Sequence, residues 1–478
     1  MLLAELRNIK KYYAERLILD IEDFKIYSGE KIGLVGRNGS GKTTFLEVLL
    51  GLKEKDEGFS KIYREYSYIS QLGDMKDEVE IDKISKKFKV SNISNENPSG
   101  GEVARLKISQ AFQNDSELLI CDEPTSNLDI EGILVFQEEL KKYRGGAIIV
   151  SHDRELLDQV CEFILEIEDG KLKKYRGNYS KYLELKELER EREGFLYDEY
   201  LKEKKRLKQA VTHTANESKS VRKAPKRMGN SEARLHKMGD QGAKFNLDKK
   251  AKALKTRIEK LEERRKPSQI AEVKISLKME SNLYNKVLFE SENLTKAVGR
   301  KLLFEDASFK VENKKRTALL GENGSGKTTL LNMIIGEDVS IKRASGLKIG
   351  YFSQDLSILD EDKTILQNLM ENSHFDETFV RILLARLLFR RDDVHKKVSV
   401  LSGGERVKIA IGKIMVMDFN VLVLDEPTNY LDIESIESVE NAIKSYEGAV
   451  FFVSHDRRFV ENVAQEKLLI RDKKIIRQ

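Results

Sequence analysis

The chain carries 478 residues, 35% of them charged, and its 85 Lys and Arg against 80 Asp and Glu leave a net charge of only +5. Such a length predicts two or three domains with cores of their own, and an apolar share of 40% excludes a wholly disordered chain. No apolar run approaches the roughly 20 residues that a membrane-spanning helix needs. Cys121 and Cys161 are too few for a disulfide framework or a thiolate metal site, as expected of a reducing cytoplasm.

In chain order, Met1 to Lys10 mixes acidic and basic residues with apolar ones and does not read as a signal peptide. Lys31 to Val35 reads as a strand and Thr44 to Leu50 as a helix. Between them Gly36, Arg37, Asn38, Gly39, Ser40, Gly41, Lys42 and Thr43 form a P-loop pattern, with Thr44 next. Glycines in such a turn let successive N–H groups face inward as an anion nest at a helix N-terminus. Lys42 is then expected at the β- and γ-phosphates of a nucleotide and the Thr43 hydroxyl on Mg²⁺. Gln71 follows an apolar strand, where its amide can orient water or Mg²⁺. After Ser99, Gly100, Gly101 and Glu102, the apolar strand Leu118 to Cys121 delivers Asp122 and Glu123 at its carboxyl end, where ligands sit in open parallel sheets. Asp122 is the expected Mg²⁺ holder and Glu123 the general base for an attacking water. The strand Ala147 to Val150 runs into His152, expected to sense the γ-phosphate.

Residues 179 to 270 are of different material, dense in Lys, Glu and Arg. Tyr182 to Lys208 and Leu247 to Lys266 carry helical spacing, the second ended by Pro267, while Val211 to Gly242 collects Thr, Asn, Ser, Pro225 and three glycines. A helical hairpin with an irregular tip is expected. From Glu203 to Lys266, Lys and Arg exceed Asp and Glu by about 13, so the rest of the chain is net acidic. Lys204, Lys205, Arg206 and Lys208, then Arg222, Lys223, Lys226 and Arg227, then Arg234 and Lys237, cluster toward the tip as the footprint of a polyanion. With Phe245 as the sole aromatic nearby, phosphate contact and RNA shape recognition fit better than base stacking.

Every motif of the first half then returns. Gly321, Glu322, Asn323, Gly324, Ser325, Gly326, Lys327 and Thr328, with Thr329 next, repeat the P-loop 285 residues on, and Gln354 repeats Gln71 at 283. Ser402, Gly403, Gly404 and Glu405, Asp425 with Glu426, and His455 all recur at an offset of 303, so the first half lacks about twenty residues between the glutamine and the Ser-Gly-Gly-Glu sequence.

Taken together, the P-loop, Ser-Gly-Gly-Glu, Asp-Glu-Pro-Thr, the following Ser126-Asn-Leu-Asp129 and Asn429-Tyr-Leu-Asp432, and Ser-His-Asp resemble the ATP-binding cassette ATPases over some 400 residues. The resemblance implies an α/β fold: two P-loop NTPase cassettes, residues 1–178 with a shortened helical subdomain and 271–478, joined by an α-helical hairpin linker, 179–270. It further implies head-to-tail pairing of the cassettes within one monomer, each ATP held between one P-loop and the opposite signature. Site one would join Lys42, Thr43, Gln71, Asp122, Glu123 and His152 to Ser402, Gly403, Gly404 and Glu405. Site two would join Lys327, Thr328, Gln354, Asp425, Glu426 and His455 to Ser99, Gly100, Gly101 and Glu102. Tyr13 matches the family's adenine-stacking aromatic, whereas the aligned position in the second half holds Val298. At the first signature, Asn97-Pro98 departs from the leucine seen at Leu401.

Tandem cassettes without membrane spans and with a basic linker are similar to the ABC-F translation factors, and the stretch from Lys226 to Lys237 resembles the Vga-type antibiotic-resistance branch. That resemblance implies an ATP-hydrolysing cytoplasmic factor at the exit site of the 70S ribosome. Its linker would reach past the P-site tRNA along large-subunit rRNA toward the peptidyl transferase centre, protecting against lincosamide, pleuromutilin and streptogramin A drugs. A housekeeping ABC-F role stays open, as do a fused transporter ATPase and a chromosome or DNA-repair ATPase. The long basic linker and shortened subdomain count against the transporter.

Overall fold

A computed structural model describes residues 1–70, 83–90, 100–126, 128–220, 230–261, 285–299, 301–353, 356–389 and 391–478, with the side chains of 230–241 and 391 left undescribed. The first cassette opens with β1 (Leu2–Tyr13), β2 (Arg16–Tyr27), β3 (Lys31–Val35), α1 (Lys42–Leu49), β4 (Glu57–Ile62) and β5 (Tyr66–Ile69). It continues through α2 (Lys83–Lys87), α3 (Gly100–Gln113), β6 (Leu118–Asp122), α4 (Ile130–Lys142), β7 (Gly146–Val150), α5 (Arg154–Val160), β8 (Phe163–Glu168) and β9 (Lys171–Arg176). Its main sheet has the order β5-β6-β7-β3-β8-β9, parallel except for the β9 edge. Strands β3, β6 and β7 are buried along their whole length, which explains their continuous apolar runs: helices cover both faces of a parallel sheet. A smaller antiparallel sheet, β2-β1-β4, packs on α1 through Leu6, Phe24, Phe45 and Leu46.

After α6 (Tyr179–Ser220) and α7 (Asn230–Glu259), the second cassette repeats this plan. Its elements are β10 (Val287–Val298), β11 (Lys301–Glu312), β12 (Arg316–Gly321), α8 (Lys327–Ile335), β13 (Lys342–Arg343) and β14 (Ile349–Phe352). Then follow α9 (Ile365–Met370), α10 (Glu377–Arg386), α11 (Gly403–Val416), β15 (Val421–Asp425), α12 (Ile433–Lys444), β16 (Ala449–Val453), α13 (Arg457–Val463), β17 (Glu466–Arg471) and β18 (Lys474–Arg477). The order β14-β15-β16-β12-β17-β18 matches the first sheet strand for strand. Between β14 and α11 lie α9 and α10, which bury Ile365, Leu369, Val380 and Leu384 against α11. The corresponding described stretch of the first cassette holds α2 alone.

Both cassettes form one compact unit, residues 1–182 with 271–478, and residues 183–270 form a second. The linker departs from expectation. The helix expected over Tyr182 to Lys208 runs to Ser220, and the one expected from Leu247 begins at Asn230 and ends at Glu259, so Gly239 and Gly242 lie inside a helix. Tyr200, Leu207, Thr214 and Ser218 are buried on α6 at spacings of seven, seven and four. This is a heptad seam, continued through Thr214 and Ser218, whose polarity disguises it in the sequence. Ser218 Oγ donates to Asp248 Oδ1 of α7 at 2.6 Å, and Arg257 faces Glu203 at 3.5 Å. Pro225 and Pro267 lie outside the described residues.

Candidate nucleotide sites

The carboxyl ends of β3, β6 and β7 stand side by side because these strands are neighbours in the sheet, and each delivers one part of a site. Gly36 follows β3, and a Cβ there would lie 2.7 Å from the Ile167 carbonyl oxygen. Gly41 and Gly326 head α1 and α8 with φ of 101° and 106°, a conformation open to glycine and strained for other residues. Lys42 and Lys327 reach back over their loops to the carbonyls of Gly36 and Gly321 at 2.8 Å. Burial pushes both ammonium groups down, opposed by Glu123 and Asp122 at the first and by Glu426 and Asp425 at the second. Ser40 Oγ and Ser325 Oγ are buried without hydrogen-bond partners among the described residues. An unengaged hydroxyl in a loop too tight for a side chain fits a phosphate.

Thr43 Oγ1 donates to Asp122 Oδ2 at 3.0 Å, and Thr328 bonds Asp425 in the same way. Burial pushes Asp122 up to about 6, against the Thr43 hydrogen bond, and raises Asp425. A hydroxyl and a carboxylate oxygen side by side suit Mg²⁺, which takes few protein ligands and keeps water and phosphate oxygens. Glu123 and Glu426 stand at φ of 51° and 50°, a left-handed conformation costing on the order of 1–3 kcal/mol. Their N–H groups donate to Val150 and Val453 of the neighbouring strands at 2.9 and 3.0 Å. In each site the histidine backbone N–H donates to the glutamate Oε2, and its Nε2 lies 3.3 Å from Oε1 without hydrogen-bond geometry. Burial drives Glu426 up to about 7 and His455 down to about 4, leaving that imidazole neutral near neutrality.

Each site draws on both cassettes. Asn38 N–H in the first P-loop donates to Asp432 Oδ2 at 2.9 Å, its Nδ2 donates to the Tyr430 carbonyl, and Arg37 pairs with Glu434 at 2.7 Å. A Cβ on Gly404 would lie 3.4 Å from Asn38 Nδ2, so the second Ser-Gly-Gly-Glu abuts the first P-loop. There Ser402 and Glu405 form a capping box that fixes the start of α11, with Gly403 between them. Reciprocally, Asn323 N–H donates to Asp129 Oδ2 at 3.2 Å. A cavity of 640 Å³ gathers Gly100 and Gly101 with Gly324, Lys327, Thr328, Thr329, Asp425, Glu426 and His455. Burial would raise Asp129, but Arg105, whose Nη2 lies 2.7 Å from both carboxylate oxygens, with the Gly132 and Asn323 N–H groups, holds it below the usual carboxylate range. The sequence shows Asp129 and Asp432 as part of a motif, yet not that they span the two cassettes. Their one visible signal is the fixed distance after each Asp-Glu pair.

Tyr13 and Val298 occupy matching ends of β1 and β10, both exposed. Tyr13 hydroxyl lies 3.3 Å from Thr44 Oγ1, and Lys53 sits over its ring at 5.0 Å. Leu303, which belongs to no motif of the sequence, lines the same 640 Å³ cavity. Lys204, Lys205, Arg206 and Lys208 lie on α6, and Arg234 and Lys237 fall on the α7 backbone. Gln71, Gln354, Ser99, Arg222, Lys223, Lys226 and Arg227 lie outside the described residues. Among the described residues no helix is long and apolar enough to cross a membrane.

Two P-loop sheets facing each other's Ser-Gly-Gly-Glu helices define a tandem ATP-binding cassette protein. The ABC transporter family matches residues 19–126 and 304–429, and a second family of the same description, ABC_tran_Xtn, matches 165–241. Erythromycin resistance ATP-binding protein MsrA of Staphylococcus epidermidis is 33% identical over 94% of this chain and 93% of its own length. Ribosome protection protein VmlR of Bacillus subtilis is 30% identical over all of this chain and 88% of its own. Among solved structures, an RNase-L inhibitor shares the fold at a TM-score of 0.64 and 19% identity, over 97% of this chain and 87% of that one. The chain belongs to the ABC-F family of tandem ATP-binding cassette proteins.

Proposed function

We propose that this chain is a cytoplasmic ATPase that binds the 70S ribosome at its exit site and protects it from antibiotics. Residues 1–178 and 271–478 serve as the two motor cassettes, and residues 179–270 as the linker that touches large-subunit rRNA and P-site tRNA. The reading rests on one observation above all: each Glu–His pair stands in a site completed by the other cassette, so hydrolysis is tied to closure. The P-loop residues and lysines hold the phosphates of ATP, Thr43 with Asp122 and Thr328 with Asp425 hold Mg²⁺, and Gln71 and Gln354 orient water or the ion. Mg²⁺ when bound supplies relief of phosphate charge. Glu123 and Glu426 take the proton of the attacking water, and His152 and His455 bond the γ-phosphate. Tyr13 stacks on adenine at site one.

The names of MsrA and VmlR support a resistance role over a housekeeping one. Lincosamides, pleuromutilins and streptogramin A compounds are the proposed drugs, and the name of MsrA adds erythromycin, a macrolide, as a fourth class. Glu123→Gln with Glu426→Gln is expected to lower ATP turnover by about 100-fold or more and to leave the protein on 70S particles in an ATP-containing sucrose gradient. A double variant that stays at the top of the gradient overturns the ribosome reading. Unchanged susceptibility of a sensitive bacterium expressing the chain, across all four drug classes, overturns the resistance reading.

A further inference from the structure

The turns after the two catalytic histidines meet across the cassette interface, and they meet unequally. Arg154 opens α5 of the first cassette and its side chain is 2% exposed. It donates to Glu440 of α12 and lies 3.6 Å from Asp456 and 3.8 Å from Glu437, all three in the second cassette. Its counterpart 303 residues on, Arg457, faces Gln137 at 3.2 Å and Asp153 at 3.6 Å. Position 440 is thus a buried carboxylate where 137 is an amide. Asn462 of α13 donates to the other Glu440 oxygen at 2.9 Å, tying that carboxylate to the helix that Asp456 caps.

Asp456 links this cluster to the chemistry. Its Oδ1 accepts from the Phe459 N–H at the start of α13, its Oδ2 faces Arg154, and its backbone continues directly from His455. A guanidinium between two buried carboxylates fixes geometry tightly, because an unpaired charge there is costly. The guanidinium also comes from the other cassette, so the support exists only when the cassettes are together.

We propose that Arg154 is a positioning residue for the second nucleotide site: through Asp456 it sets the turn carrying His455, and so the His455–Glu426 pair, on docking of the first cassette. The inference rests on the ATPase reading above. It makes site two depend on closure more steeply than site one, where Arg457 meets one carboxylate and a neutral amide.

Single-site backgrounds separate the outcomes. In Glu123→Gln, where site two alone turns over, adding Arg154→Gln is expected to lower kcat on the order of tenfold or more while KM for ATP changes by less than about twofold. In Glu426→Gln, where site one alone turns over, the same substitution is expected to change kcat by less than about twofold. Arg154→Lys should restore part of the site-two rate. If Arg154→Gln does not fold, Asp456→Asn, which keeps the cap to Phe459, carries the same expectation. Equal losses in both backgrounds, or no loss in the first, overturn the inference. Turnover that persists at the original rate in Glu123→Gln/Glu426→Gln instead overturns the hydrolytic reading beneath it.

Discussion

Asp129 shows how much one side chain can carry. It caps its own helix through Gly132, bonds the opposite P-loop through Asn323 and accepts from Arg105 Nη2 at both of its oxygens. The position matching Arg105 in the second cassette is Lys408, whose ammonium lies 4.8 Å from the Phe389 ring centre. Removing Arg105 strands a carboxylate that is 2% exposed. Because two backbone donors remain, the expected loss for Arg105→Ala is about 2 kcal/mol rather than the full penalty of an orphaned buried charge. Urea denaturation measures this, and Arg105→Lys should recover part of it. An Arg105→Ala midpoint equal to that of the unmodified chain would show that this ion pair contributes nothing.

Among the elements, those tied to glycine patterns and apolar runs were legible in the sequence almost to the residue. The strands at Lys31, Ala147 and Ala449 and both P-loops lie as expected, since a buried parallel strand and an anion nest admit few compositions. The linker was not. Thr, Ser, Asn and Gly weigh toward turns locally, yet here they lie within helices paired along a heptad seam, and tertiary contact outweighs propensity. A Cβ at Gly194 or at Gly242 would meet nothing within 4 Å. Gly194→Ala and Gly242→Ala are therefore expected to raise the stability of the linker helices by about 0.5–1 kcal/mol each, read as a higher midpoint in a thermal melt followed by circular dichroism. A lowered midpoint at Gly242 would restore the irregular tip expected from sequence. The cross-cassette partners of Asp129, Asp432 and Arg154 were illegible for another reason: pairing at a distance leaves no local pattern.

For the whole molecule, duplication has given two sites alike in motif and unlike in support. Among the described residues the first cassette has α2 where the second has α9 and α10, Tyr13 stands opposite Val298, and Glu440 replaces the amide of Gln137. Charge is divided as unevenly: the linker is strongly basic, residues 1–178 are net acidic, and residues 271–478 are balanced. If Lys204, Lys205, Arg206 and Lys208 contact nucleic-acid phosphates, neutralising all four should flatten the log–log salt dependence of ribosome binding by roughly 0.7–0.9 per lost contact. An unchanged slope in co-sedimentation across a salt series rejects those contacts.

The carboxylates of Asp129 and Asp432 each serve a helix of their own cassette with one oxygen and a P-loop of the other with the second. When the cassettes part, the helix caps stay made and a single acceptor on each side turns to solvent, where water replaces the lost donor at little cost. An apolar seam would have to be wetted over its whole area to come apart. At these two points the cassettes can part and meet again without unfolding either half.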